Sequence, residues 1–430
     1  MKYQERHKQY LNKTIWVFLV LIVGCEDKMD INDSTPQNKV EITRIIYLNS
    51  GFHIFWQRAK DDDFYSYTLL GSINNDMVDP DTIGVFYVIN DTSFSIPVER
   101  NIRRYYVVSV CDQDGNCSTG NPKMGSSLEK ILFMNKPDTS EHFNAFQIDI
   151  DGGNLVQLTS GLNVGDLKYR KDGSKLLIAL FNLFSYDLLT NEMVQLTSLD
   201  NYEYLGCFSS SLQKIAVGIH QMMSSRIDIM NYDGSNPLTL ASAIEAIPTP
   251  PSFSPDGNQV CYSFVGLNIP AVYISDIDGT NTSVLTSTAD PIRDYSPSFS
   301  PDGTKIVFVS DRDGDDDIYL MNIDGSDPIN LSNDSYKNFN PIFSPDNSKI
   351  AYITYFEGQS DIFVMNIDGS NVTNLTNDNF IEYSFVFSSN SDYIIFTSDR
   401  ENNKRSIFRV AVDGSGLTKL AEGRKPSIMP

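Results

Sequence analysis

One phrase, FSPDG and its near copies, returns through the C-terminal part of the chain at Tyr169 (YRKDG), Phe208 (FSSSL), Phe253 and Phe299 (both FSPDG), Phe343 (FSPDN) and Phe387 (FSSNS). The spacings are 39, 45, 46, 44 and 44 residues. A repeat of that length belongs to a solenoid or a propeller. Each phrase leads into a β-rich run such as KIVFVSD (305–311) and then a second, DIYLMNIDGS (317–326), with no helical period between them. Short strands joined by tight turns, four to a repeat, make a propeller blade.

A second signature counts the units independently. Asp-Gly pairs suited to hairpin turns begin at Asp151, Asp233, Asp278, Asp324, Asp368 and Asp413, and YDLLTNE around Asp187 fills the one gap. The sequence therefore predicts an all-β protein with a seven-bladed propeller, six blades being the alternative. The first unit (130–160) has three strand-like runs, ILFM, AFQIDI and LVQLT, but no FSPDG-type segment before them. The last residues, Lys425-Pro426-Ser427-Ile428, align with Asn340-Pro341-Ile342-Phe343, so the C-terminus is expected to supply the missing innermost strand and close the ring.

The N-terminus has the layout of an export signal. Lys2, Arg6, Lys8 and Lys13 precede an apolar run, Ile15 to Val23, too short to span a bilayer, and Gly24-Cys25 follows. The text IVGC resembles a bacterial lipobox, which implies cleavage after residue 24 and lipidation of Cys25. Glu26-Asp27 resembles the surface-export signals of some Gram-negative lineages and lacks the aspartate that retains lipoproteins in the inner membrane. An outer-membrane lipoprotein is expected, with the leaflet it faces left open. Residues 25–40 read as a polar tether.

The net charge is −22. Residues 1–24 hold four Lys/Arg and one Glu, so the part after them carries −25. Such acidity argues against nucleic acid and anionic membrane surfaces as partners. Cys111 and Cys117 flank the turn-forming DQDGN, and a disulfide across that hairpin is expected in an oxidising envelope. Cys207 and Cys261 lie in apolar strands and read as buried thiols.

Residues 41–123 lack the repeat but contain the strand-like runs EITRIIYL, FHIFWQR, FYSYTLLGS, IGVFYVI, SFSIPV and RYYVVSVCD. They predict a small β-sandwich. Trp56 in the second run, FYSYTLL in the third and Tyr105-Tyr106 in the last resemble a fibronectin type III domain, which implies a spacer or adhesion module without chemistry of its own. The boundary with the propeller is placed at 124–129.

The repeat text itself, FSPDGTKIVFVSDRDGDDDIYLMNIDGSDPINLS, resembles the TolB-type propeller repeat, across residues 124–430. Pro301, Asp302 and Gly303 have turn-building roles, and the recurring Ser310-Asp311-Arg312 and Ser398-Asp399-Arg400 are expected to hydrogen-bond turns and neighbouring blades. The sandwich stands where TolB has an α/β domain, so the TolB partnership with a peptidoglycan-associated lipoprotein is not carried over. Nor does the text carry a GxSxG elbow. Propeller lyases of the oligogalacturonate type hold a metal through several histidines, whereas this propeller has His142 and His220 only. Two classes of function remain: a non-catalytic, lipid-anchored scaffold binding an envelope protein or glycan, and a polysaccharide-directed enzyme, lyase or hydrolase.

Two groups of residues are candidates for a site. The acidic DRDGDDD loop offers Asp311, Asp313 and Asp315 as oxygen ligands for a hard cation such as calcium, although a solvated turn accounts for the same residues and no cofactor is required. The second group is set by the repeat. Four residues before the FSPDG-type aromatic come Tyr204, Tyr295, Phe339 and Tyr383, preceded by Glu203, Asp294, Asn338 and Glu382, in four of the seven blades; Pro248-Thr249 and Val164-Gly165 break the pattern. These corners are expected around the channel mouth, where a ring of carboxylates would attract a cationic ligand.

Overall fold

The computed structural model describes residues 38–48, 51–60, 64–98, 102–137, 140–170, 172–180, 182–198, 203–208, 214–221, 224–266, 271–286, 292–401 and 404–429. The expected signal segment 1–24, Cys25 and most of the expected tether lie outside the described residues. Every regular element among the described residues is a strand.

The N-terminal strands are β1 (Ile42–Leu48), β2 (Gly51–Trp56), β3 (Phe64–Ser72), β4 (Asp81–Phe86), β5 (Ser93–Pro97), β6 (Arg103–Asp112), β7 (Cys117–Thr119) and β8 (Lys123–Ser126). They form two sheets, β1-β2-β5 and β4-β3-β6-β7, with β8 also on β6. Alternation decides which side chains meet between them: Phe52, Ile54 and Trp56 from β2, Tyr67 and Leu69 from β3, and Tyr106, Val108 and Val110 from β6 share one core. The Tyr67 hydroxyl accepts from the Ala59 N–H at 2.6 Å and donates to the Ile89 carbonyl at 3.0 Å, so its polar end is satisfied inside that core. Cys111 and Cys117 stand opposite each other on β6 and β7 and are bonded. The strand β8 pairs through Lys123–Ser126, which moves the end of the sandwich slightly past residue 123.

Seven four-layered antiparallel sheets follow among the described residues, numbered here as blades in chain order. Blades five and six are typical: Asp294–Phe299, Lys305–Ser310, Asp317–Asn322 and Ile329–Asn330, then Lys337–Phe343, Lys349–Phe356, Gln359–Asn366 and Thr373–Asn374. Blade seven is Glu382–Phe387, Tyr393–Glu401, Lys404–Ala411 and Thr418–Glu422. In blade four the innermost strand is split into Ala246–Pro248 and Ser252–Phe253. Pro250 and Pro251 lie in the gap, where they have no N–H to offer the ladder.

Blade one consists of Lys130–Asn135, Asn144–Asp149 and Val156–Gln157, closed by the C-terminal strand Arg424–Ile428. That last strand behaves as an innermost strand in detail. Ser296, Asn340 and Lys425 each precede a proline, sit at a register shift and take φ of +53°, +52° and +52°. Ile395 and Ile407 of blade seven pack with Ile131, Phe133, Phe146 and Ile148 of blade one, as every other pair of successive blades packs through its own apolar cluster.

The turns lock one blade to the next. In the FSPDG turn of blade five the Ser300 hydroxyl donates to Asp302 Oδ1 at 2.6 Å, and the Thr304 N–H donates to the same oxygen at 3.0 Å. Asn347 of blade six reaches back to the other Asp302 oxygen at 2.8 Å. In the Asp324-Gly325 turn, Gly325 has φ +84°, and a Cβ there would stand 2.6 Å from the Leu285 carbonyl oxygen of blade four. Gly414 has the same φ, with no atom within 4 Å of a Cβ. Gly325→Ala is therefore expected to cost about 2 kcal/mol more than Gly414→Ala, which carries the backbone penalty alone. Urea unfolding of the two variants measures the difference, and equal losses would mean that the blade contact contributes nothing.

Candidate functional site

The corner residues begin the innermost strands, and the antiparallel register fixes what they meet. Asp294 is opposite Ser310, Asn338 opposite Thr354, and Glu382 opposite Ser398. Two residues beyond Ser310 and Ser398 come Arg312 and Arg400, which the strand period returns to the face of the corner acid. Arg312 donates from Nη2 to Asp294 Oδ1 at 2.9 Å and from Nε to Ser310 Oγ at 2.8 Å. Arg400 repeats this with Glu382 Oε1 at 2.8 Å and Ser398 Oγ at 3.1 Å. Both guanidinium groups lie over aromatic rings, Arg312 over Tyr319 and Arg400 over Phe408, with centroid distances of 4.7 and 4.8 Å. The arginines of the Ser-Asp-Arg text thus tie the first two strands of one blade together, and Arg400 also reaches Asp378 in the connection from blade six, at 3.2 Å.

Blade six has Thr354-Tyr355-Phe356 in place of Ser-Asp-Arg, and its corner residue is an amide instead of an acid. Thr354 Oγ1 donates to Asn338 Oδ1 at 2.7 Å, while Asn338 Nδ2 points to Asp334 Oδ1 at 3.1 Å and Asp317 Oδ1 at 3.4 Å. In blades five, six and seven the two positions change together, acid with arginine and amide without.

These contacts correct the picture of an open carboxylate ring. The Asp294 and Glu382 side chains have no exposed surface; Asp294 pairs with Arg312, and Glu382 shares Arg400 with Asp378. Asn338 is also buried. The aromatic partners are engaged as well. Tyr295 donates to Asp316 Oδ1 at 3.0 Å, burial and that carboxylate raising its ionisation far above the usual phenol range. Tyr383 donates to Asp399 Oδ2 at 3.1 Å and carries Arg405 over its ring. Phe339 is half-buried. For blade three the register places Glu203 opposite His220, and the Glu203 and Tyr204 side chains lie outside the described residues.

The DRDGDDD carboxylates go separate ways. Asp311 accepts from the Arg293 N–H and Nε, both at 2.7 Å, and Asp313 accepts from the Tyr319 hydroxyl and from Asn330 Nδ2 at 3.1 Å. Among the described residues they do not converge with Asp315 on one point. The carboxylates that do converge are Asp361, Asp378 and Glu382, each offering an oxygen within 4.8 Å of the other two. Sequence reasoning passed over Asp361 and Asp378, although both stand one repeat of 44 residues after Asp317 and Asp334. Burial pushes the Glu382 carboxyl up to about 7, against the pull of Arg400 and Ser398.

Residues 203–430 match the family model of the TolB beta propeller domain. A search of curated proteins finds no match. Among solved structures, TolB from Acinetobacter baumannii is 17% identical with a TM-score of 0.48, covering 77% of this chain and 80% of that one. An oligogalacturonate lyase from Vibrio parahaemolyticus is 15% identical with a TM-score of 0.52, covering 72% and 98%. A puromycin-hydrolyzing peptidase of Mycobacterium tuberculosis is 11% identical with a TM-score of 0.55, covering 75% and 52%. The lyase and the peptidase share the fold with this chain, and fold alone does not transfer chemistry. The family model spans more than half of the sequence, over blades three to seven and the closing strand, and on that ground the chain belongs to the TolB β-propeller domain family.

Proposed function

We propose that the chain is a non-catalytic binding scaffold of the cell envelope, anchored by lipid at Cys25 and presenting a protein-interaction surface on its propeller. The match to the TolB propeller domain carries this reading. The three-on-four order of the sandwich, β1-β2-β5 against β4-β3-β6-β7, supports a fibronectin type III-like spacer between anchor and propeller. Because the Asp294 and Glu382 side chains are buried, the partner is selected by the shape and loops of the channel face.

A second reading, a polysaccharide-directed enzyme, is favoured by one observation: the chain covers 98% of an oligogalacturonate lyase with a shared fold. One experiment separates the two. The Cys25→Ser chain, expected to leave the detergent phase for the aqueous one on phase separation, is immobilised and exposed to envelope extract, and in parallel incubated with oligogalacturonate. Retention of a protein partner with no cleavage supports the scaffold. Formation of unsaturated oligosaccharide products would overturn it.

A further inference from the structure

The Asp361, Asp378 and Glu382 cluster lies where blade six meets blade seven, on three different segments. Asp361 is in the third strand of blade six, Asp378 in the connection between the blades, and Glu382 at the first residue of blade seven. The backbone holds them together: Ser360 Oγ donates to the Glu382 carbonyl and accepts from its N–H, both at 2.9 Å. Asp361 is 1% exposed, and the Glu382 side chain has no exposed surface. Three carboxylates share this place with one guanidinium, Arg400, whose Nη2 is 2.8 Å from Glu382 Oε1 and 3.2 Å from Asp378 Oδ2.

The partners of the cluster leave one acceptor over. Asp361 is supplied by Asn374 Nδ2 at 2.7 Å and Thr376 Oγ1 at 2.9 Å. Asp378 accepts from the Phe380 N–H at 3.0 Å as well as from Arg400. Glu382 Oε2 is buried and has no hydrogen-bond donor. A buried carboxylate oxygen without a donor, next to two further carboxylates, is unfavourable unless a proton or a cation is present.

Blade six contains the same construction one repeat earlier and shows how it is resolved there. Asp317 and Asp334 correspond to Asp361 and Asp378, and Asn338 to Glu382. The Asn338 amide group points its nitrogen to both carboxylates, placing partial positive charge between them. At blade seven the amide donor is replaced by an acceptor while both aspartates are kept. The negative charge increases where blade six supplies a donor. Blade five offers the contrasting case. Asp294 Oδ2 also lacks a donor, but Ala271 stands at the position of Asp361, so that corner lacks the same set of acids.

We propose that Asp361, Asp378 and Glu382 form a binding site for a hard divalent cation of the calcium class, joining blade six to blade seven. The donor set is all oxygen, which suits calcium and gives no purchase to ions that prefer imidazole or thiolate. Arg400 covers one side of the pair Asp378–Glu382, and the cation binds on the side of Glu382 Oε2 and Asp361. This relocates the calcium expectation from the DRDGDDD turn of blade five to the junction between blades six and seven.

The test uses the full chain stripped with EGTA and titrated with calcium chloride alone, followed by calorimetry and by thermal unfolding. Binding at a single class of site is expected, with the melting temperature raised by about 4 °C when calcium exceeds the dissociation constant about 100-fold. Glu382→Asn copies the blade-six arrangement, so it should fold and lose the calcium response. Asp378→Asn, at the partly exposed member, should weaken calcium binding by about tenfold or more while leaving the stripped protein folded. No heat and no thermal shift with wild-type chain overturn the proposal. An undiminished calcium response in Asp378→Asn or in folded Glu382→Asn overturns it as well, because the ion would then be bound elsewhere.

Discussion

A chain ended at Gly423 is expected to lose cooperative unfolding and most of its solubility. Removing residues 424–430 strips blade one of its innermost strand, which pairs Arg424 with Met134, Ser427 with Leu132 and Ile428 with Ile131. The loss extends to neighbouring blades. The Lys425 N–H donates to Thr397 Oγ1 of blade seven at 3.1 Å, and its ammonium donates to the Gly165 carbonyl before blade two at 2.8 Å. Ile428 joins the apolar cluster between blades seven and one, and Met429 the cluster between blades one and two. Two apolar side chains at about 1.5–3 kcal/mol each and several ladder bonds at about 1 kcal/mol each amount to roughly 6 kcal/mol, a large part of the stability of an ordinary domain. The newly open edge also invites pairing with another chain. Urea unfolding and sedimentation would show it; an unaltered midpoint and a monomeric truncated chain would mean that the ring is held without this strand.

Asp149→Ala is expected to cost about 3–5 kcal/mol, the usual result of leaving a buried charge without its partner. The Asp149 side chain is fully buried and Lys130 is 4% exposed. Lys130 Nζ donates to one carboxylate oxygen, and Arg103 of β6 approaches the other at 3.2 Å. Burial holds the Lys130 ammonium below the usual lysine range even with Asp149 present, so its protonated form depends on that partner. The control is Asp149→Leu with Lys130→Met, which removes both charges and should recover most of the loss. A single variant as stable as wild type in urea would show that Lys130 finds water or loses its proton at little expense.

Much of the propeller was legible because its turns are written in residues with few alternatives. Gly303, Gly325 and Gly414 take positive φ, and the prolines after Ser296, Asn340 and Lys425 mark equivalent bulges, so text alone aligned the C-terminus with the innermost strands. The six strand-like runs of the sandwich match β1 to β6, whereas β7 and β8 were hard to see because CST and KMGS are short and carry little β-branched pattern. The corner residues were found, but their surroundings were not. Whether Asp294 faces the channel or Arg312 depends on strand register, which places Asp294 opposite Ser310 and so within reach of the second residue beyond it. The recurring Ser-Asp-Arg text contained that arginine all along. Its co-occurrence with an acid at the corner in blades five and seven, and its absence where Asn338 stands, was the available signal.

Blade one is built from the first three strands of the propeller and the strand at 424–428, and this sets the order of events during synthesis. The segment at 130–157 leaves the ribosome some 270 residues before its partner at 424–428, and its exposed edge stays unpaired throughout that interval. Until residues 424–428 have been made the ring is open, and its apolar edge is available to chaperones and proteases. The same sheet bears Asp149 and Asp151, which Arg103 of the sandwich contacts. The seam closed by residues 424–428 is thus also the place where the sandwich is fastened to the propeller.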